Sequence, residues 1–188
     1  VSAPPDLPPD VSRALDLSRR QGFVSSTRNE TGRLLAVLAA TRAGTLAECG
    51  TGCGVGSAWL RSGIRGEARI VTAELDHTLA VAVREIFAGD EHVEVLQADW
   101  TTLYDYAPFS LLFLDVREVK KGGPDTVYEL LEPGGLVVLD DFTPSHGWPP
   151  MYGGRVDAVR QQWLTDPRFT SVDVMVAEDA AVVVAARR

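Results

Sequence analysis

Two strand-like runs, SVDVMVAE (171–178) and AAVVVAARR (180–188), stand almost back to back at the end of the sequence, with the chain turning around Glu178 and Asp179. So short a link joins only antiparallel strands, because a parallel pair needs a crossover of about a dozen residues or more. The preceding sequence alternates differently. TLAEC (45–49), ARIVTAEL (68–75), VEVLQA (93–98), SLLFLD (110–115) and LVVLDD (136–141) are strand candidates, and helical segments such as HTLAVAVREIFAG (77–89) and DTVYELL lie between them. That alternation predicts βα units and a parallel sheet. The nearly unbroken apolar run of SLLFLD fits a strand covered on both faces. The expected fold class is therefore α/β: a mostly parallel sheet closed by an antiparallel hairpin, with helices on both faces.

No internal repeat or break in composition divides the 188 residues, so residues 1–188 are expected to form one domain. VSAPPDLPPD (1–10) reads as a proline-rich extended leader, and 11–41 as N-terminal helices, the second carrying apolar residues at helical spacing from Leu34 to Ala40. A helix is expected near 154–165, after a loop rich in Pro, Gly and aromatic residues. The net charge of −8 argues against a nucleic-acid or anionic-membrane partner, because neutralising phosphates needs a basic face. The longest apolar runs, LLAVLAA and AAVVVAA, are too short to span a bilayer, and no signal peptide opens the sequence, so a cytoplasmic location is expected. Cys49 and Cys53 match neither a disulfide framework nor a zinc ribbon, and read as small space-fillers.

Between the first strand and the next helix, glycine occupies every second position: Gly50, Gly52, Gly54 and Gly56 follow Glu48 directly. Glycine is placed so densely where the backbone needs positive φ or where another molecule must approach it. Strand, glycine loop and helix together make a nucleotide site at the carboxyl edge of a parallel sheet. Glu74 ends the second strand, 24 residues after Gly50, where a carboxylate can accept hydrogen bonds from both ribose hydroxyls. The dinucleotide fingerprint G-x-G-x-x-G fails, since its third glycine would fall on Val55 or Ser57. The pattern here is E-x-G-x-G-x-G.

With these residues the sequence resembles the class I S-adenosylmethionine-dependent methyltransferases, and among them is most similar to the small bacterial and catechol-type O-methyltransferases, in which E-x-G-T-x-x-G follows a helix like GRLLAVLA. The resemblance runs from about Thr31 to the end. It implies a Rossmann-like, seven-stranded sheet of order 3-2-1-4-5-7-6 with the last strand antiparallel. It implies S-adenosyl-L-methionine as cofactor and methyl transfer, most simply O-methyl transfer, to a small phenolic or other hydroxyl acceptor. Glu48, Gly50, Gly52 and Gly54 would shape the loop under the methionine part, and Glu74 would hold the ribose. Asp99 would meet the adenine amino group, with Trp100 either covering the ring or serving as a rim aromatic. The family's serine that meets the cofactor carboxylate falls on Gly56, and Ser57, one place late, is expected to make that cofactor contact.

Asp115 ends the fourth strand, and Asp140 with Asp141 the fifth, so three carboxylates should project from one sheet edge. Like charges so close need compensation, from a cationic cofactor or from a divalent ion with oxygen ligands. In the family resembled, an Asp after strand 4 and an Asp-Asn pair after strand 5 bind magnesium or calcium. Asp115, Asp140 and Asp141 fall on those positions and would be the ligands of Mg2+ or Ca2+. The family's basic lysine, three residues after the strand-4 Asp, is replaced by Glu118, with Lys120 and Lys121 nearby but out of register. Proton removal is then assigned to the surroundings of Asp115, or to His146 in the loop TPSHGWPPMYGG, whose Trp148, Met151 and Tyr152 could wall an acceptor pocket. Relatives of this size often pair, so a homodimer is possible. Two other readings remain open: a nicotinamide-dependent oxidoreductase, and a methyltransferase-like binding protein without catalysis.

Overall fold

Thr45–Cys49 forms the central strand, β1, and its side chains alternate between two cores, as strand geometry requires. Leu46 joins Leu35, Leu60, Leu111 and Phe113 on one face of the sheet. Ala47 and Cys49 join Leu112, Leu114, Val137 and Leu139 on the other. A computed structural model describes residues 6–188. The other strands are β2 (Arg69–Glu74), β3 (Val93–Gln97), β4 (Phe109–Leu114), β5 (Leu131–Phe142), the two-residue arms β6 (Met151–Tyr152) and β7 (Arg155–Val156), β8 (Phe169–Ala177) and β9 (Ala180–Arg187). The main sheet has seven strands in the order β3-β2-β1-β4-β5-β9-β8, while β6 and β7 make a separate ribbon. With that ribbon set aside the order is 3-2-1-4-5-7-6. The strands from β3 to β5 pair in parallel, and β9 runs antiparallel to both β5 and β8, as the closing hairpin predicted.

All six residues of β4 are buried, which explains its apolar sequence. Burying one such large apolar side chain contributes about 1.5–3 kcal/mol. The helices are α1 (Pro9–Gln21), α2 (Asn29–Ala39), α3 (Val55–Gly63), α4 (His77–Ile86), α5 (Arg117–Gly122), α6 (Pro124–Val127) and α7 (Ala158–Thr165). Helices α2 and α3 cross closely because two glycines remove side-chain bulk. A Cβ on Gly63 would stand 2.2 Å from the Ala36 carbonyl oxygen, and one on Gly32 would stand 2.1 Å from the Trp59 ring. Helices α1, α3 and α4 share a third core, built from Val11, Leu17, Trp59, Val83 and Ile86.

Three expectations shift. The leader expected over 1–10 begins outside the described residues, and Pro9 and Asp10 already belong to α1, since proline is suited to the first helical turn. The fifth strand starts at Leu131 rather than Leu136. Its register against β4 jumps between Phe109 and Leu111, so the EPGG segment bulges out of the strand instead of preceding it. The helix expected from 154 starts at Ala158, because Gly153 and Gly154 both take positive φ and turn the β6–β7 ribbon. Among the described residues, no helix is long and apolar enough to cross a membrane.

Candidate active site

The four glycines do two different jobs. Gly50, Gly52 and Gly54 take positive φ (87°, 53° and 81°), a region that costs any residue with a Cβ. Gly56 is helical, and its absent side chain makes room for a buried carboxylate: a Cβ there would lie 2.0 Å from Glu48 Oε1. Glu48 faces this helix because it shares the side of β1 that carries Leu46. Its Oε2 accepts hydrogen bonds from the Ser57 hydroxyl and, at 2.8 Å, from the Thr72 hydroxyl. Burial pushes the Glu48 carboxyl up to about 7, against the opposing effect of those bonds. Glu48 thus ties β1, β2 and the start of α3 together beneath the loop. Ser57, expected to meet the cofactor, is fully buried and spends its hydroxyl on Glu48. It lies beneath the crevice and is not one of its lining residues. The reason is the buried carboxylate: positions 56 and 57 both face Glu48 at the start of α3, and the Ser57 hydroxyl is taken by it.

Above the loop lies a cavity of about 390 Å3, lined among others by Phe23, Thr27, Gly50, Gly52, Glu74 and Asp115. A neighbouring hollow of about 330 Å3 shares Gly50, Glu74 and Val116 with it and extends to Asp99 and Trp100. Glu74 stands between the two. Its Oε2 accepts from the Gly52 N–H at 2.8 Å, and its Oε1 from the Asp76 N–H at 2.8 Å. These bonds fix the carboxylate at the crevice mouth and leave lone pairs on both oxygens for a ligand. Asp99 caps a short 3-10 helix, Trp100–Tyr106, with its Oδ1 accepting from the Thr101 N–H and hydroxyl. Those bonds hold its carboxyl below the ordinary value. Trp100 is half-buried, packs on the core beside Tyr104 and also lines the hollow.

On the other side of the crevice, Asp115 and Asp141 line both the 390 Å3 cavity and a third hollow of about 370 Å3, which reaches Phe142, Tyr152 and Val159. Asp115 and Asp140 are largely buried. Burial first, and the charge of Asp141 second, push the Asp115 carboxyl up to about 8. Burial also raises Asp140, whose Oδ1 accepts from the Asp141 N–H at 2.9 Å and the Thr31 hydroxyl at 3.3 Å. Asp141 has φ +65°, an uncommon conformation for a residue with a side chain. Its desolvation is outweighed by the hydrogen bond and charge of Lys120, which hold its carboxyl below the ordinary value.

Lys120 is what the sequence reading missed here. Its Nζ donates to Asp141 Oδ2 at 2.8 Å and to the Asp140 carbonyl oxygen at 3.2 Å, and stands 3.8 Å from Asp115 Oδ1. The side chain is buried, with its cation between the ends of β4 and β5. Out of register by sequence spacing, it reaches the carboxylates because α5 folds back across the strand ends.

The metal expected at Asp115, Asp140 and Asp141 does not fit this arrangement. No group of three or more His, Cys, Asp or Glu among the described residues is disposed to hold an ion. An ammonium already lies between the carboxylates, and Asp140 Oδ1 is engaged by two donors. His146 is exposed in the loop after β5 and does not line the cavities beside Asp115. The structure therefore does not bring it to the carboxylates as a base. The cysteine thiols are buried, Cys49 pushed up to about 12 and Cys53 also raised, which suits space-filling rather than nucleophilic use.

No family model matches the chain. A Mycobacterium tuberculosis protein named a probable O-methyltransferase is 33% identical over 120 residues, covering 57% of this chain and 52% of that protein. A Mycobacterium avium protein also named an O-methyltransferase is 28% identical over 166 residues, covering 82% and 66%. The chain thus spans about half the length of the first of these relatives. Among solved structures, an O-methyltransferase from Bacillus cereus in complex with S-adenosylhomocysteine superposes with a TM-score of 0.76 at 19% identity, over 98% of this chain and 93% of that one. Strand order, the glycine loop with Glu74, and these likenesses together identify the chain as having the class I S-adenosylmethionine-dependent methyltransferase fold, and as similar in sequence to bacterial O-methyltransferases.

Proposed function

We propose that this protein is an S-adenosylmethionine-dependent O-methyltransferase acting on a small hydroxyl-bearing acceptor. The observation that carries the reading is the pair of neighbouring cavities that share Gly50, Glu74 and Val116, with the Glu74 carboxylate anchored on the Gly52 N–H. S-adenosylmethionine, when bound, supplies a methyl group on a sulfonium, an electrophile that an acceptor oxygen takes by in-line displacement. Glu74 would hold the ribose hydroxyls, Gly50 and Gly52 would let the backbone approach the donor, and Asp99 and Trp100 would line the adenine end. Most of the rate enhancement then comes from holding donor and acceptor in line.

The 370 Å3 hollow beside Asp115, with Phe142, Tyr152 and Val159 on its walls, is the place for the acceptor. An acceptor hydroxyl must lose its proton, and Asp115, which ionises as pH rises through about 8 and lines this hollow, is the carboxylate assigned to take it. The relatives' names support O-methyl transfer, and the bound S-adenosylhomocysteine of the Bacillus cereus protein supports the donor.

Calorimetric titration with S-adenosylhomocysteine and with NADH tests the donor, and a panel of phenols, catechols and hydroxy acids with labelled S-adenosylmethionine tests the reaction. Heat with the nucleoside thioether and label transfer to an oxygen are expected. Heat with NADH alone would replace the reading by the oxidoreductase one, and donor binding without transfer to any acceptor would leave a binding protein.

A further inference from the structure

The strand-end carboxylates of β4 and β5 form a nest that calls for a cation, and this chain supplies one from its own sequence. We propose that the Lys120 ammonium is the resident cation of the acceptor side, standing where a divalent ion would have to stand, so that the protein handles its acceptor without a metal. The inference rests on the methyltransferase reading only for the word acceptor; the cation's location is a matter of geometry.

Three distances carry it. Lys120 Nζ is 2.8 Å from Asp141 Oδ2, 3.2 Å from the Asp140 carbonyl oxygen and 3.8 Å from Asp115 Oδ1. The ammonium thus donates two hydrogen bonds to the end of β5 and stands in ion-pair range of the carboxylate at the end of β4, and the stem of the side chain is buried. Magnesium and calcium bind carboxylate oxygens at roughly 2.0–2.6 Å. An ion ligated by Asp115 and Asp141 would occupy the space between the same oxygens that the ammonium already bridges. Two cations in contact in a half-buried site repel strongly, so either the lysine leaves or the ion does not enter. Leaving is opposed by the burial of the stem and by the carbonyl bond to Asp140. Asp140 Oδ1 already takes the Asp141 N–H and the Thr31 hydroxyl. The φ of +65° at Asp141 presents its side chain to Lys120, an orientation the backbone holds at a conformational cost.

The functional consequence is a change in how an acceptor is held. A divalent ion chelates two adjacent oxygens, whereas an ammonium offers a point charge and single hydrogen bonds. Acceptors with one oxygen at the reacting position should therefore suffice.

The test is thermal denaturation and calorimetry of the full chain with magnesium chloride and calcium chloride at millimolar concentration, for wild type, Lys120→Met and Lys120→Gln, each also titrated with S-adenosylhomocysteine. Wild type should show neither saturable heat nor a melting shift with either ion. At least one neutral variant should gain a saturable, EDTA-reversible stabilisation by calcium or magnesium. The Lys120→Gln variant keeps a donor for the Asp140 carbonyl and serves where the Lys120→Met variant does not fold. Saturable divalent binding by wild type overturns the proposal. So does the absence of any divalent gain in a folded neutral variant. The S-adenosylhomocysteine arm separates the two readings, because its failure would sink the methyltransferase assignment while leaving the cation result intact.

Discussion

Glu74 Oε2 accepts the Gly52 N–H at 2.8 Å, so the residue that ends β2 is bonded to the middle of the glycine loop that follows β1. One contact closes the crevice floor and fixes the carboxylate that a ribose would meet.

Glu74→Ala should therefore weaken S-adenosylhomocysteine binding far more than it weakens the fold. Hydrogen bonds to a charged group contribute about 1.5–3 kcal/mol, which is roughly a tenfold to hundredfold loss in affinity. The two backbone N–H groups it leaves lie at the half-exposed mouth and can be met by water, so melting should change little. Calorimetry alongside thermal denaturation checks both, and unchanged affinity would remove Glu74 from the donor site.

Glu48 gives a pH dependence of defined sign. Its carboxyl titrates near 7 in the folded protein against an ordinary value of 4.5, so the folded state holds this proton more tightly. The stabilisation is complete below about 4.5 and is lost as pH rises through about 7, with an upper size of about 3 kcal/mol. Glu48→Gln should remove this part of the decline. Urea unfolding from pH 5 to 8 should show wild type losing stability relative to the variant, and parallel curves would contradict the assignment.

Gly56→Ala and Gly52→Ala should differ. At Gly56 the new methyl would lie 2.0 Å from Glu48 Oε1 and 2.9 Å from the Phe113 ring, both within the core, for a cost of about 1–3 kcal/mol by overpacking. At Gly52 the nearest atom is 3.1 Å away on Phe23, and the cost of about 1 kcal/mol comes from the positive φ. Denaturation midpoints should rank wild type, then Gly52→Ala, then Gly56→Ala. Donor affinity should fall chiefly in Gly52→Ala.

Arg160 is fully buried and anchors the start of the loop after β5. It donates to Asp173 at 3.0 Å and to the Thr143 carbonyl oxygen, and its guanidinium lies 4.9 Å from the centre of the Phe142 ring. Arg160→Met leaves Asp173 without its cation and should destabilise by about 3 kcal/mol. A double-mutant cycle with Asp173→Asn should return a coupling of at least about 0.5 kcal/mol, and an additive cycle would refute the pair.

Much of this was legible from the chain alone. The closing hairpin, the parallel character of the sheet and β1 at 45–49 follow from periodicity and link length, which act over a few residues, whereas the strand order came only with the family resemblance. Glu74 was legible because a strand end after a glycine loop has one direction in which to project. Ser57 was not, since its hydroxyl is spent on Glu48, a partner nine residues earlier whose burial beneath the loop only the packing of α3 on β1 sets. The start of β5 at Leu131 was hidden because its glycine-rich bulge looks like a turn when only local propensity is read.

Element order, strand direction and the conformational demand for glycine at 50, 52 and 54 are written in local pattern, because backbone sterics and side-chain alternation are properties of neighbouring residues. The tertiary structure alone decided that Gly56 yields its side-chain space to Glu48, that His146 stays in solvent, and that Lys120 closes on Asp141. Those outcomes depend on distances across the sheet edge, which are set by how α5 and α3 pack on the strands and leave no trace in sequence spacing.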